Sequence, residues 1–172
     1  CYDICHAAVG FEKPEDILDS LNEYGIQVGR IQVSSALKVN YTSEREVKRK
    51  AIETFDEPVY LHQVVARHDD GHFTHYPDLK EALTDWNETH EEWRVHFHVP
   101  LFVNTYGVLD STQGDIVQTL ALQKEAPFSA YLEVETYTWE VLTENEKLPM
   151  QESIIREMNW VKDRLDPDNY RK

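Results

Sequence analysis

Basic residues, cysteine and long apolar runs are all scarce in this 172-residue chain, and each scarcity excludes something. Lys and Arg number 17 against 32 Asp and Glu, giving a formal net charge of −15. Phosphate backbones and anionic lipid surfaces are bound chiefly through cationic footprints. Neither nucleic acid nor a membrane surface is therefore an expected partner. The two cysteines, Cys1 and Cys5, lie too close together to staple a chain of this size, which points to a reducing, cytoplasmic setting. No stretch approaches the length of apolar sequence that a membrane-spanning helix needs, so no membrane insertion is expected. The opening CYDICH has no leader-like pattern and no Met, and it reads as the inside of a strand. The expectation is a fragment of a longer protein.

What is present is an alternation of strand-like and helical segments without repeats or Gly/Ser linkers, the pattern of α/β proteins. Residues 1–5 (CYDIC) read as a strand. Pro14 then opens a helix in EKPEDILDSLNEYG, ended by Gly25, and IQVGRIQVSSAL is a second strand. Residues 43–55 read as a helix with Ser43 as N-cap and Glu46 at capping-box spacing. In YLHQVVARHDDGHFTHYPDL, Asp70-Gly71 signals a type I′ hairpin, an excursion from the regular pattern. WRVHFHV (93–99) and AYLEVETYTW are further strands, a helix capped by Ser111 or Thr112 lies between them, and MQESIIREMNWVKDRL is the last helix. Residues 1–165 then form one unit with four core strands, half the number of an eight-fold barrel, and 166–172 read as a disordered tail.

Three groups of residues carry candidate chemistry. Asp3 at a strand end with His6 three residues on can deliver a carboxylate and an imidazole to one divalent ion. Strand alternation puts Glu133 and Glu135 on the face opposite Leu132 and Val134, which points both carboxylates into a barrel interior where they need a cation, a proton or an Arg. The same parity groups Arg94, His96 and His98, and H-x-H on a strand projects both imidazoles to one side, a metal-binding geometry. Gln32 and Ser34 share a face suited to hydrogen-bonding a polyol. Arg94 and Arg67 are candidates for holding an anionic substrate group. His62, His68, His72 and His75 read as solvated loop histidines rather than as a zinc cluster.

The strand-borne DICH, the later HFH and the EVET strand resemble the xylose-isomerase-like barrel superfamily. Within it, the runs CYDICHAAV, GRIQVSSALKVN, YLHQVVAR, YPDL, EWRVHFHVPLF and LEVETYTWEVL look closest to the E component of the Ebo-type metabolite traffic system. That resemblance implies the C-terminal portion of a (β/α)8 TIM barrel, with parallel strands and an inserted β-hairpin. A missing N-terminal half would supply a further glutamate ligand. It also implies that Asp3, His6 and Glu135 are ligands of a divalent ion (Mn, Mg or Zn), with His96 or His98 as further candidates. Where many relatives carry a ligand histidine on the next strand, this chain has Gln32 or Ser34.

The function expected on these grounds is a metal-dependent isomerase or epimerase acting on a sugar-like metabolite, with Glu135 and Glu133 handling the proton. The rival readings are a non-catalytic metabolite-binding or traffic barrel and, third, a phosphodiesterase of the abasic-endonuclease kind. Association with the N-terminal half or with a second copy is expected, because an open half-barrel exposes strand edges.

Overall fold

The computed structural model describes residues 1–58, 60–138 and 147–166. Its strands are β1 (Tyr2–Asp3), β2 (Ile31–Val33), β3 (Ser35–Asn40), β4 (Val64–His68), β5 (Phe73–Tyr76), β6 (His90–Val99), β7 (Thr105–Tyr106), β8 (Leu109–Ser111) and β9 (Leu132–Val134). The helices are α1 (Ile4–Val9), α2 (Pro14–Glu23), α3 (Arg45–Glu53), α4 (Leu79–Thr84), α5 (Gln113–Glu125) and α6 (Met150–Leu165).

Two sheets share the chain. A parallel sheet runs β1-β2-β9, and an antiparallel sheet runs β5-β4-β6-β3-β8-β7. The segment read as one strand from Ile26 to Leu37 divides between them: β2 belongs to the first sheet, β3 to the second, and Ser34 is the crossing point. Among the described residues, no helix is long and apolar enough to cross a membrane.

Several local readings change. Residues 1–5 are not one strand, because β1 stops at Asp3 and α1 begins at once, with the Asp3 carboxylate accepting the His6 N–H as an N-cap. Ser43 does not cap α3. The N-cap residue is Glu44, in a left-handed conformation, and the Ser43 hydroxyl accepts from Lys48 instead. The Asp70-Gly71 hairpin is not type I′. Only Gly71 has positive φ (87°), and its N–H reaches the His68 carbonyl at 3.0 Å, which makes a type I turn followed by one left-handed residue. The hairpin is no excursion either, since β4 pairs directly with β6 and so builds one end of the antiparallel sheet. The tail beyond Asp166 and the end of the EVETYTW run beyond Thr138 lie outside the described residues. At Gly25 the expected cap is present: the Ile26 and Gly25 N–H groups return to Leu21 and Asn22, a Schellman motif that φ +65° permits.

The largest departure is β6. Its residues were counted with the parallel strands, yet it runs antiparallel to both β3 and β4. The physical reason is visible in its alternation. Strands of a helix-covered parallel sheet are near-continuously apolar, whereas WRVHFHV alternates, as a strand does when its two faces meet different surroundings. One face (Trp93, Val95, Phe97, Val99) enters a core with Leu37, Val39, Tyr41, Ile52, Val64 and Leu79. The parallel sheet has its own core, where Tyr2, Ile31, Val33, Leu132 and Val134 meet Ile116 and Leu120 of α5 and Val161 of α6. Helix α1 joins the two sheets: Ile4 and Ala7 enter the second core, while Cys5 and Val9 pack with Ala36 and Val65.

A histidine pair closes the hairpin end. Both ring nitrogens of His68 meet threonine hydroxyls, Thr89 at 2.8 Å and Thr74 at 2.9 Å. His90 is fully buried, edge-on to Trp93 and 3.4 Å from the Tyr76 hydroxyl. Burial, then the proximity of His68, lowers the His90 pKa from 6.5 to about 4. Between those values the unfolded chain binds a proton that the folded chain excludes, so stability falls as pH drops through that window. For His90 alone the loss is on the order of 2 kcal/mol between pH 7 and pH 5. Urea melts at the two pH values are expected to show this slope, flattened in His90→Phe; equal slopes in the two proteins would refute it.

Candidate metal centre

The centre forms where α1 crosses the polar face of β6. With Trp93, Val95, Phe97 and Val99 committed to the core, alternation turns Arg94, His96 and His98 to the other side. The Asp3 cap starts α1 immediately after β1, which brings Cys5 and His6 onto that side. The Asp3 Oδ1 accepts from the His6 N–H (3.1 Å) and the Ser34 hydroxyl (3.0 Å), and the Ser34 Oγ in turn accepts the Cys5 N–H (3.2 Å). Ser34 is therefore a buried brace that ties β2 to the first turn of α1.

Around this brace, Cys5 Sγ and one nitrogen each of His96 and His98 lie within 4.8 Å of one another. The two Nε2 atoms are 3.1 Å apart. The Nδ1 of His98 faces the Glu135 carbonyl at 3.2 Å and its carboxylate Oε2 at 3.7 Å, so the proton belongs on Nδ1 and the Nε2 lone pair points inward. Two nitrogens bound tetrahedrally to one zinc ion at about 2.0–2.1 Å would stand roughly 3.3 Å apart. The observed spacing is close to that. The His6 ring stacks on His96 with centroids 4.2 Å apart, and Tyr137 stacks on His98 at 5.0 Å.

The electrostatics suit a cation. His96 is lowered to about 4 by burial and by His98 and His6, so it is neutral near pH 7. His98 is lowered by burial against the opposing pull of Glu135 and Asp3. Burial, then Asp3 and Glu135, pushes the Cys5 thiol well up. A divalent ion reverses that last shift by taking the thiolate directly.

The residues singled out by sequence fall into distinct places. His96 and His98 are at the centre, His6 stands over it, and Asp3 sits beside it as the helix cap. Glu135 contacts His98 from the Nδ1 side, opposite the inward Nε2, which makes it an orienting carboxylate in this geometry. Glu133 differs from the reading as an interior acid. It is about half exposed and pairs with Arg30 at 2.6 Å. Gln32 neighbours Glu133 and Asp3 in register, with the Cys1 thiol 3.7 Å from its side-chain oxygen.

Arg94 and Arg67 are occupied elsewhere. Arg94 bonds Glu92 (2.8 Å) and the Ala8 carbonyl (2.8 Å), Arg67 pairs with Glu91 and Glu92, and both guanidinium groups lie over the Phe11 ring. Their neighbours account for them without an anionic ligand. Cys5 was missed, although it stands inside the Asp-x-x-His motif. Its signal was the helix that starts at Ile4, which turns residue 5 toward β6 and residue 6 toward the opening. Compared with protein-family models, curated proteins and solved structures, the chain matches none of them.

Proposed function

We propose that the chain carries the metal centre of an isomerase- or epimerase-type enzyme acting on a sugar-like hydroxylated metabolite. The parallel sheet is read as an arc of a xylose-isomerase-like barrel that works in the cytoplasm, completed by a further segment or a second copy along its β1 or β9 edge. The observation that carries the reading is the convergence of Cys5, His96 and His98, with His6 open above them. A thiolate and two imidazoles favour zinc over Mg or Mn, which prefer all-oxygen sets. A bound ion would supply Lewis-acid polarisation of a substrate carbonyl.

The chain's own residues divide the remaining work. Glu135 holds the His98 tautomer, and Ser34 and Asp3 hold α1. His6 is the side chain placed to take a proton from the hydroxyl-bearing carbon next to that carbonyl and to return it on the other carbon or face. Glu133, paired with Arg30, is left out of the proton path.

Deuterium wash-in tests the proposal. In D2O with a panel of unphosphorylated aldoses and ketoses, the zinc-loaded chain is expected to exchange the hydrogen next to the carbonyl. Chelated protein and His6→Gln are expected to lose this exchange while the variant keeps its zinc. If no sugar exchanges although zinc is bound, the enzyme reading fails. The rival reading, a binding or traffic barrel with a structural ion, then takes over. That rival draws on the commitment of Asp3 to its helix cap and of Glu133 to Arg30.

A further inference from the structure

His62 lies just before β4, on the opposite side of β6 from His96 and His98. It is 1 % exposed, and its ring stacks on Phe97 with centroids 4.9 Å apart. Neither ring nitrogen makes a hydrogen bond. The Glu57 Oε1 stands 3.5 Å from Nε2 and the Asp78 Oδ1 stands 4.0 Å from Nδ1, both beyond ordinary N–H···O range. The Asp78 carboxylate cannot drift closer easily, because Oδ1 already accepts the backbone N–H groups of His62 (2.8 Å) and Leu79 (2.9 Å). The Glu57 and Asp78 carboxylates reach a cavity of about 380 Å³ lined also by Asp56, Tyr60 and Lys80, and the Glu57 Oε1 accepts the Tyr60 N–H at 3.0 Å. The cavity's acids outnumber its single lysine.

We infer that His62 and Glu57 hold a second divalent transition-metal ion at this cavity, independent of the Cys5 centre. The spacing supports it. Two ligand atoms at about 2.0–2.1 Å from one ion, opened slightly beyond the tetrahedral angle, stand roughly 3.5 Å apart. A direct hydrogen bond would pull them closer. Asp78 takes the place of the carboxylate that orients a ligating histidine from its Nδ1 side. Water would complete the coordination. An imidazole and a carboxylate form a nitrogen/oxygen set without thiolate, which suits zinc, cobalt or nickel. The bland alternative is a buried imidazole packed on Phe97 between two carboxylates, with no ion.

Cobalt(II) titration of the full chain, followed by optical absorption, separates the two sites. In the wild-type chain the thiolate-to-cobalt charge-transfer band is expected to saturate at about one equivalent, and a second equivalent adds only ligand-field absorption. In a Cys5→Ser, His98→Ala chain the thiolate band vanishes and about one equivalent still binds. Adding His62→Phe removes that equivalent. Glu57→Gln, which leaves the ring and its packing in place, weakens it at least about tenfold. Far-UV circular dichroism verifies that each variant is folded. If the double variant binds no cobalt, or if Glu57→Gln leaves the second equivalent unchanged, the site is refuted and the ion-free packing reading stands. Absence of the thiolate band in the wild type would instead refute the Cys5 centre alone.

Discussion

Replacing His98 with alanine is expected to abolish zinc binding at the Cys5 centre, and Cys5→Ser to weaken it by several orders of magnitude. Structural zinc in small sites contributes on the order of 10 kcal/mol of apparent binding energy near pH 7. Removing one of three protein ligands therefore has room for a large effect. The pH dependence follows from the three ligands. His96 and His98 have lowered pKa values and are already neutral near pH 7, so they release no proton on binding. Cys5, raised by burial and by its acidic neighbours, is a thiol in the metal-free chain and must lose its proton.

Binding then releases about one proton, and affinity falls roughly tenfold per unit as pH drops. Calorimetry in two buffers of different ionisation enthalpy measures that proton directly. Release of none, or of two, would contradict the assigned protonation states. Glu135→Gln is expected to be milder, a 10–100-fold loss of the kind seen when an orienting partner is removed.

Trp93→Ala is expected to cost about 3–5 kcal/mol, the cavity cost of a fully buried aromatic side chain. Trp93 is completely enclosed, edge-on to Tyr41 (5.2 Å) and His90 (5.5 Å), with Val95 and Phe97 following it on the same face. Since whole domains are stable by only about 5–15 kcal/mol, this variant should be partly unfolded under mild conditions. Its indole nitrogen has no hydrogen-bond partner, so Trp93→Phe loses packing alone and is expected to cost well under half as much. Chemical denaturation of the two variants measures the difference. Near-equal costs would mean that Trp93 makes a polar contact or that its pocket does not retain a cavity. Because His96 and His98 lie on the reverse of the same strand, Trp93→Ala should also loosen zinc binding, whereas Trp93→Phe should not.

Much of the centre could be read in the chain before any fold was known. The alternation of WRVHFHV separates the histidines from the apolar residues whatever sheet the strand joins, because strand side chains alternate regardless of pairing direction. The same rule holds for Leu132 and Val134 against Glu133. What alternation leaves open is the partner. Direction and neighbour are set by connections and by long-range pairing, so β6 was grouped with the parallel strands although it runs antiparallel between β3 and β4.

Asp3 shows the other limit. Its spacing to His6 suits a ligand pair and a helix cap equally well, and only the start of α1 at Ile4 decides for the cap. That early helix moves Cys5 into the centre and lifts His6 above it. Scarcity of cysteine argued against disulfides, yet it said nothing of a buried thiol facing two imidazoles.

From sequence alone, then, come the strand faces, the Gly25 helix stop, the weak cationic character and the pool of candidate ligands. These follow from local geometry and composition. The tertiary structure alone decides which ligands meet, that Glu135 approaches His98 from the Nδ1 side, that Arg94 and Arg67 are held by glutamates, and that His62 is buried against Phe97. Each of these depends on residues far apart in the chain, brought together by packing energies that no short window of sequence contains.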